Sequence, residues 1–535
     1  MILRTIAEWT SSLRAESIPA SVRMRVRAQV LSTLASAHAA VHSRAARAVF
    51  AAVAKWGEGT SPIVATGTRV GLHAALLANA ASTMAFDYDD YLFLGHTGHS
   101  AVWTPLLLGA EGGDLLAAIV AANEVAGRLG AACFYGPQNG QLWSFIHLAG
   151  AAVAAARAMR LDAARTADAL AIALSQPNYA LYPGLMGCEA KLLTAATPAV
   201  AGLQAAQLAA EGLTGRHEVL DDPRGFLTAF SFHPQPHMLT GWGEAWVTDT
   251  LAVKPYPGCA YIDSTIDSIR DFLPMAGGRI APEAVAAVNV DATLMTVAMN
   301  RMGQREGAFG PVDVNFSIPL SVAVTLLEGD LTAAALADEN LARRRGEIVS
   351  IASKVRLRHD HALTEAMLAK VAETIGFDRM LGTAGWRDLL RIRRGMKRSL
   401  GGGTVTFGDL RPFLGMAPFT RFLFPPREVR SLSGVDFSQV TLPIAARVTL
   451  HTVDGKAYQG SRHVPRGAGT DVEDVAREKW RREAASLGAE RVAEVERLVE
   501  GLGQTSARLL LDTSTRSTNT HECTRMEEQP PVAKG

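Results

Sequence analysis

The residues whose types and spacing could do chemistry crowd into one stretch, 79–105, NAASTMAFDYDDYLFLGHTGHSAVWTP. An Ala-rich apolar run leads into three carboxylates, Asp87, Asp89 and Asp90. Two histidines follow, His96 and His99, each preceded by a glycine. Titratable groups beside so much apolar surface can have their pKa values moved by burial and by neighbouring charge. Taken as a helix, the stretch places Asp87 on one face with Asp90 and Tyr91 and turns Asp89 elsewhere. Gly95 and Gly98 then let the chain turn and bring one imidazole back over that face. A carboxylate opposite an imidazole can move protons to and from carbon or oxygen acids.

Further candidates lie elsewhere along the chain. Lys191 sits in GCEAKLLTAA, mostly small and apolar. Buried there, its ammonium would hold a substrate carboxylate or donate a proton; extended to the surface, it would do neither. Arg301 and Arg305, in MNRMGQREG, could clamp a carboxylate bidentately, although a polar loop accounts for them equally well. Arg462 and Arg466 are similar cases. Asp263 is either a helix N-cap before SerThrIleAsp or an acid in its own right. Lys254 and Tyr256 belong to KPYPGCAY, which reads as a loop between domains.

The elements that must position these groups are mainly helical. Ala and Leu dominate, aromatics make up 6%, and apolar residues recur at three- and four-residue spacing from the N-terminus. Helices are predicted over 1–57 (two or three), 64–94, 105–130 with a break at 112–113, 142–159, 163–176 and 194–212. Strand patterns appear at 285–294, 351–360 and 442–460, the last with an AspGly hairpin turn at 454–455. The expected fold is mainly α: a large all-helical domain over 1–264, completed by a C-terminal helical stretch over 471–511, and a smaller α+β domain over 265–465. Within the latter, 370–440 reads as a surface insertion or as a partner or substrate-channel element. Residues 512–535 read as a disordered tail.

At 535 residues the chain can bury two or three cores. Its 53 basic and 52 acidic residues nearly cancel, so no nucleic-acid partner is expected. The apolar runs at 101–125 and 146–159 are cut by glycine or charge, so they are predicted as core helices, with no membrane partner. The four cysteines, Cys133, Cys188, Cys259 and Cys523, are widely spaced and form no CxxC pair. No metal site or disulfide framework is expected, and a reducing, cytoplasmic setting follows.

Six segments, in order, resemble the MmgE/PrpD superfamily. AFDYDDYLFLGHTGHSAV is similar to its acidic segment ending in HPS. AAIVAANEVAGRLG, AGAAVAAARAMRLD, CEAKLLTAATPAVAGLQAAQLAAEGLTG, KPYPGCAYIDSTID and FSIPLSVAVTLLEG resemble further family segments. The superfamily includes 2-methylcitrate dehydratase, cis-aconitate decarboxylase and iminodisuccinate epimerase. The resemblance implies a homodimer without metal or organic cofactor, acting on small di- and tricarboxylates by removing or moving a proton next to a carboxylate. It carries over Asp87 as the active-site aspartate, His99 (or His96) as the histidine and Lys191 as the lysine. His96, Tyr91, Asp263, Arg301 and Lys254 are the expected substrate-binding residues. The sequence departs from the family where Met84 and Asp263 replace histidines, Tyr91 replaces a threonine and Leu320 a tyrosine; near Gln141 the family histidine has no counterpart until His147. The expectation is a lyase, dehydratase- or decarboxylase-like, for a substrate more apolar than methylcitrate. An epimerase of the same family, or a non-catalytic dimeric scaffold, is the alternative.

Overall fold

The computed structural model describes residues 1–303, 305, 307, 309–400, 406, 408–413 and 419–517. Helices dominate, as expected. Five of them carry the framework of the site: α1 (Ala20–Ala39), α2 (Leu72–Met84), α3 (Gly112–Ala132), α4 (Gln141–Ala158) and α5 (Leu193–Ala210). Their small side chains let axes approach closely. A Cβ at Gly202 of α5 would lie 2.2 Å from the Leu148 carbonyl oxygen of α4, so only glycine fits there. α3 is long and apolar enough to cross a membrane, but it is wholly buried among its neighbours.

The helix predicted over 64–94 is shorter than expected. An antiparallel ribbon, Glu58–Pro62 with Arg69–Val70, precedes α2, and α2 stops at Met84, before the acidic cluster. Asp87 has φ +53°, a left-handed conformation that breaks the helix. The next residues are extended: β1 (Asp90–Tyr91) pairs antiparallel with β2 (Ala252–Val253).

The second layer is a four-stranded sheet of β3 (Val285–Ala292), β4 (Val355–His359), β5 (Ala446–Thr452) and β6 (Ala457–Arg462), in the order β4-β3-β5-β6. β3 and β4 are parallel and the other pairs antiparallel. The predicted AspGly turn joins β5 to β6, with Gly455 at φ +82°. The helix Asp263–Phe272 lies against this sheet; a Cβ at Gly460 would meet the Ser268 carbonyl oxygen at 2.0 Å. The segment 370–440 supplies the helices Phe377–Leu381, Trp386–Leu400 and Phe419–Leu423. It returns to the N-terminal helices through Tyr135 Oη, which donates to Met380 O at 2.9 Å.

Chain ends close the helical layer. α6 (Val472–Glu483) packs on α1, with Trp480 fully buried. The expected tail boundary at 512 falls inside the helix Ala507–Ser514, and Arg516 N still donates to Val64 O at 3.1 Å. Those residues are therefore ordered by tertiary contact; 518–535 lie outside the described residues.

Candidate active site

The β1–β2 register builds the site. Asp90 faces Val253 and Tyr91 faces Ala252, so one residue further along Asp89 stands across from Lys254. Lys254 N donates to Asp89 O at 3.4 Å. Its ammonium donates to Asp89 Oδ1 and, at 2.7 Å, to Asp87 O, and lies 3.5 Å from Asp87 Oδ2. Lys191 Nζ pairs with Asp87 Oδ1 and stands 4.6 Å from the centre of the Phe316 ring. Two carboxylates and two ammonium groups thus alternate in a buried chain.

This corrects the helical reading of the acidic stretch. The left-handed turn at Asp87 and the extended chain after it bring Asp87 and Asp89 to one side, where both reach Lys254. Asp90 points the other way. It accepts from Gly98 N at 3.0 Å and from Gln29 Nε2 at 2.9 Å, and so holds the loop that carries the histidines.

Both histidines reach Asp89 Oδ2, His96 through Nδ1 at 2.7 Å and His99 through Nε2 at 3.0 Å. His99 is fully enclosed, with Nδ1 2.9 Å from Thr83 Oγ1. His96 keeps 18% of its side chain exposed. Behind His99 stands His147, its ring edge-on at 5.0 Å. Burial, with His99 and His96 nearby, pushes the His147 imidazole well below its ordinary pKa, so it is neutral.

The electrostatics follow from the pairing. Burial alone would raise Asp87, but Lys191 and Lys254 outweigh it and hold the carboxyl below its usual range. Burial is likewise overcome at Asp89, by Lys254 and His96, and its carboxyl lies well below that range. At Lys254 burial opposes the charge, yet Asp87 and Asp89 raise the ammonium above its ordinary pKa. Asp263 is the opposite case. It is fully buried, and neither carboxyl oxygen has a hydrogen-bond partner among the described residues. Burial exceeds the pull of Lys254, and its pKa is raised well above the usual range. It opens the helix Asp263–Phe272 without making a side-chain cap.

The structure therefore brings Asp87, Lys191, Lys254, His96 and His99 into one network. Tyr91 lies beside it, 6.4 Å ring to ring from His96. Arg301 goes elsewhere: its guanidinium is 2.7 Å from Asp409, which also takes His359 Nδ1 at 2.9 Å. Asp89 was set aside by the helical reading; its side is decided by the pairing of Asp90–Tyr91 with Ala252–Val253, which the local sequence does not signal. Leu185, Met186, Cys259 and Phe316 form an apolar cluster that meets the charged network at Lys191. Burial, then Asp87, pushes the Cys259 thiol up to about 12, so it is no nucleophile. Among the described residues, no three His, Cys, Asp or Glu side chains are grouped to hold a metal ion.

The sequence model of the MmgE/PrpD N-terminal domain matches residues 4–239, and that of the MmgE/PrpD C-terminal domain matches 256–381. The chain belongs to the MmgE/PrpD family. The two matches contain Asp87, Asp89, His96, His99, Lys191 and Asp263, and the second ends where the helix-rich segment after residue 381 begins. Two Aspergillus terreus proteins named cis-aconitate decarboxylase are similar to the chain. The one from strain NIH 2624 / FGSC A1156 is 24% identical over 387 residues, 66% of this chain and 77% of its own length. The other is 24% identical over 383 residues, 65% and 76% of the two chains. Both relatives are enzymes by name, and this chain is an enzyme of the same family.

Proposed function

We propose that the chain is a lyase acting on a small carboxylic acid by proton transfer at the carbon beside a carboxylate. The observation that carries this reading is the buried Lys191–Asp87–Lys254–Asp89 chain, with two imidazoles on its last member, set against an apolar wall. Lys191 offers a substrate carboxylate a positive charge. Asp263, whose burial favours its protonated form, offers a hydroxyl donor for a second oxygen. His96 moves the proton, because it combines contact to Asp89 with partial exposure. His99 is enclosed and fixes Asp89 in place.

The chemistry then balances in either direction. In a dehydration, His96 takes the proton beside the carboxylate, the carbon–hydrogen pair becomes the double bond, and hydroxide leaves with a proton as water. In a decarboxylation, the bond to the departing carboxylate breaks, carbon dioxide leaves, and the pair is held in an enolate-like dianion until a proton returns to carbon. The two ammonium groups stabilise that dianion, the larger part of such rate enhancements. The names of the two fungal relatives support the decarboxylase arm, and the apolar cluster around Phe316 supports a substrate less polar than methylcitrate. The convergence of Asp87, Asp89, Lys191 and both histidines supports an enzyme over a scaffold.

The test is incubation of the purified protein with citrate-, aconitate- and succinate-like acids, following product and exchange of carbon-bound hydrogen with deuterated water. Turnover of one acid is expected, with a loss of about 10²–10³-fold in Lys191→Ala. His96→Gln should lose about 10²–10⁴-fold in kcat and His99→Gln about 10–100-fold. No turnover and no exchange with any acid, or wild-type rates in Lys191→Ala, would refute the reading.

A further inference from the structure

Outside this network, the helix Trp386–Leu400, WRDLLRIRRGMKRSL, carries six basic residues and one acid in a chain whose net charge is +1. At 3.6 residues per turn its two sides differ sharply. The inner side holds Ile392, which is buried, and Gly395, where a Cβ would come within 2.3 Å of the Phe232 ring. Asp388 also belongs to that side, accepting from Gly385 N at 3.1 Å and lying 3.7 Å from His233.

All six cations, Arg387, Arg391, Arg393, Arg394, Lys397 and Arg398, are exposed on the outer side. Trp386 and Leu390 share that arc and are also exposed. The helix Phe419–Leu423 packs at its start: Arg421 Nη1 donates to Ala384 O at 3.0 Å, and Pro425 lies 3.2 Å from the position of a Cβ on Gly385. Leu423 and Phe424, between Phe422 and Pro425 of that contact, are exposed, Phe424 by 80%.

We propose that this face docks on the anionic surface of a phospholipid bilayer. A helix whose open side carries Lys and Arg with Trp386 and Leu390 set among them offers both charge and apolar surface to the headgroup plane. The cations meet anionic headgroups, and the aromatic and aliphatic side chains enter the headgroup–acyl boundary. Nucleic acid would satisfy the arginines but give Leu390, Leu423 and Phe424 nothing apolar to enter. The expectation of no membrane partner rested on the length of apolar runs, which measures spans and not helices lying on a surface. The inference stands apart from the reaction proposed above.

The test uses the full-length protein and sedimented vesicles of phosphatidylcholine, with or without phosphatidylglycerol, and a DNA duplex as competitor. Binding to the phosphatidylglycerol vesicles alone is expected, weakening as salt rises. Arg391→Glu/Arg394→Glu/Lys397→Glu should weaken it at least about a hundredfold at low salt. Trp386→Ala/Phe424→Ala should weaken vesicle binding and leave DNA binding, if any, unchanged. All the substituted side chains are exposed, and unchanged thermal melts establish that the variants fold. Equal binding to both vesicle types, binding unaffected by either variant, or retention on DNA but not on vesicles would overturn the proposal.

Discussion

One carboxylate, Asp89, receives two imidazoles and an ammonium group while fully enclosed. Removing its charge leaves Lys254 buried with only part of its compensation, and breaking a buried pair in this way costs about 3–5 kcal/mol. Asp89→Asn is therefore expected to lower the urea midpoint by an amount equivalent to several kcal/mol as well as abolish turnover; a midpoint within error of wild type would show that the pairing does not bear on stability. Asp263 has the opposite signature. Its pKa is raised in the folded state from 3.8, so the native protein holds a proton that the unfolded chain releases above that pH. Its contribution to stability is complete below pH 3.8 and is lost as pH rises above it. Asn mimics the neutral acid at every pH. Asp263→Asn should thus gain in Tm relative to wild type between pH 4 and pH 8, and melts across that range check it; a constant or shrinking gap would mean that Asp263 is ionised.

At the scale of elements, the site depends on a short piece of extended chain between two turns. β1 and β2 number two residues each, yet their register decides that Asp89 meets Lys254. The loop that follows is held by Asp90 at the start of the short helix Gly98–Ala101. That contact leaves no room at Gly98: an added Cβ would lie 2.1 Å from Asp90 Oδ1 and 2.7 Å from Thr33 Oγ1. Gly98→Ala must therefore displace Asp90, with His96 and His99 carried along. The expected cost is about 1–3 kcal/mol in chemical denaturation, together with reduced turnover. A fully stable and active Gly98→Ala protein would show that the loop tolerates the shift. The same exposed-versus-buried logic separates the two sides of Trp386–Leu400, where packing on Phe232 leaves the cations outward.

At the scale of the whole molecule, the site is assembled from distant parts of the chain and braced from its end. Lys479 of α6 donates to Tyr88 O at 2.6 Å and to Ser32 Oγ at 2.8 Å, reaching the backbone between Asp87 and Asp89 from beneath. Trp480 fills the core beside it. A chain ending at residue 466 would lose both and expose the apolar side of α1, so it is expected to give no cooperative thermal transition by circular dichroism. A sharp transition near that of the full chain would disprove the bracing role. Helical periodicity, the strands at 285–294 and 351–360, the hairpin at 454–455 and the membership of the family were all legible in the sequence, because each depends on local pattern. So were Asp87, His96, His99, Lys191 and Lys254 as candidates, since they stand in short polar interruptions of apolar runs. The side of the chain on which Asp89 falls was not legible, nor was the burial of Asp263 without a partner, nor the turn of Arg301 toward Asp409. Those depend on pairing between residues far apart in sequence, Asp89 with Lys254 above all, and a left-handed Asp87 had to end the helix before that pairing could form.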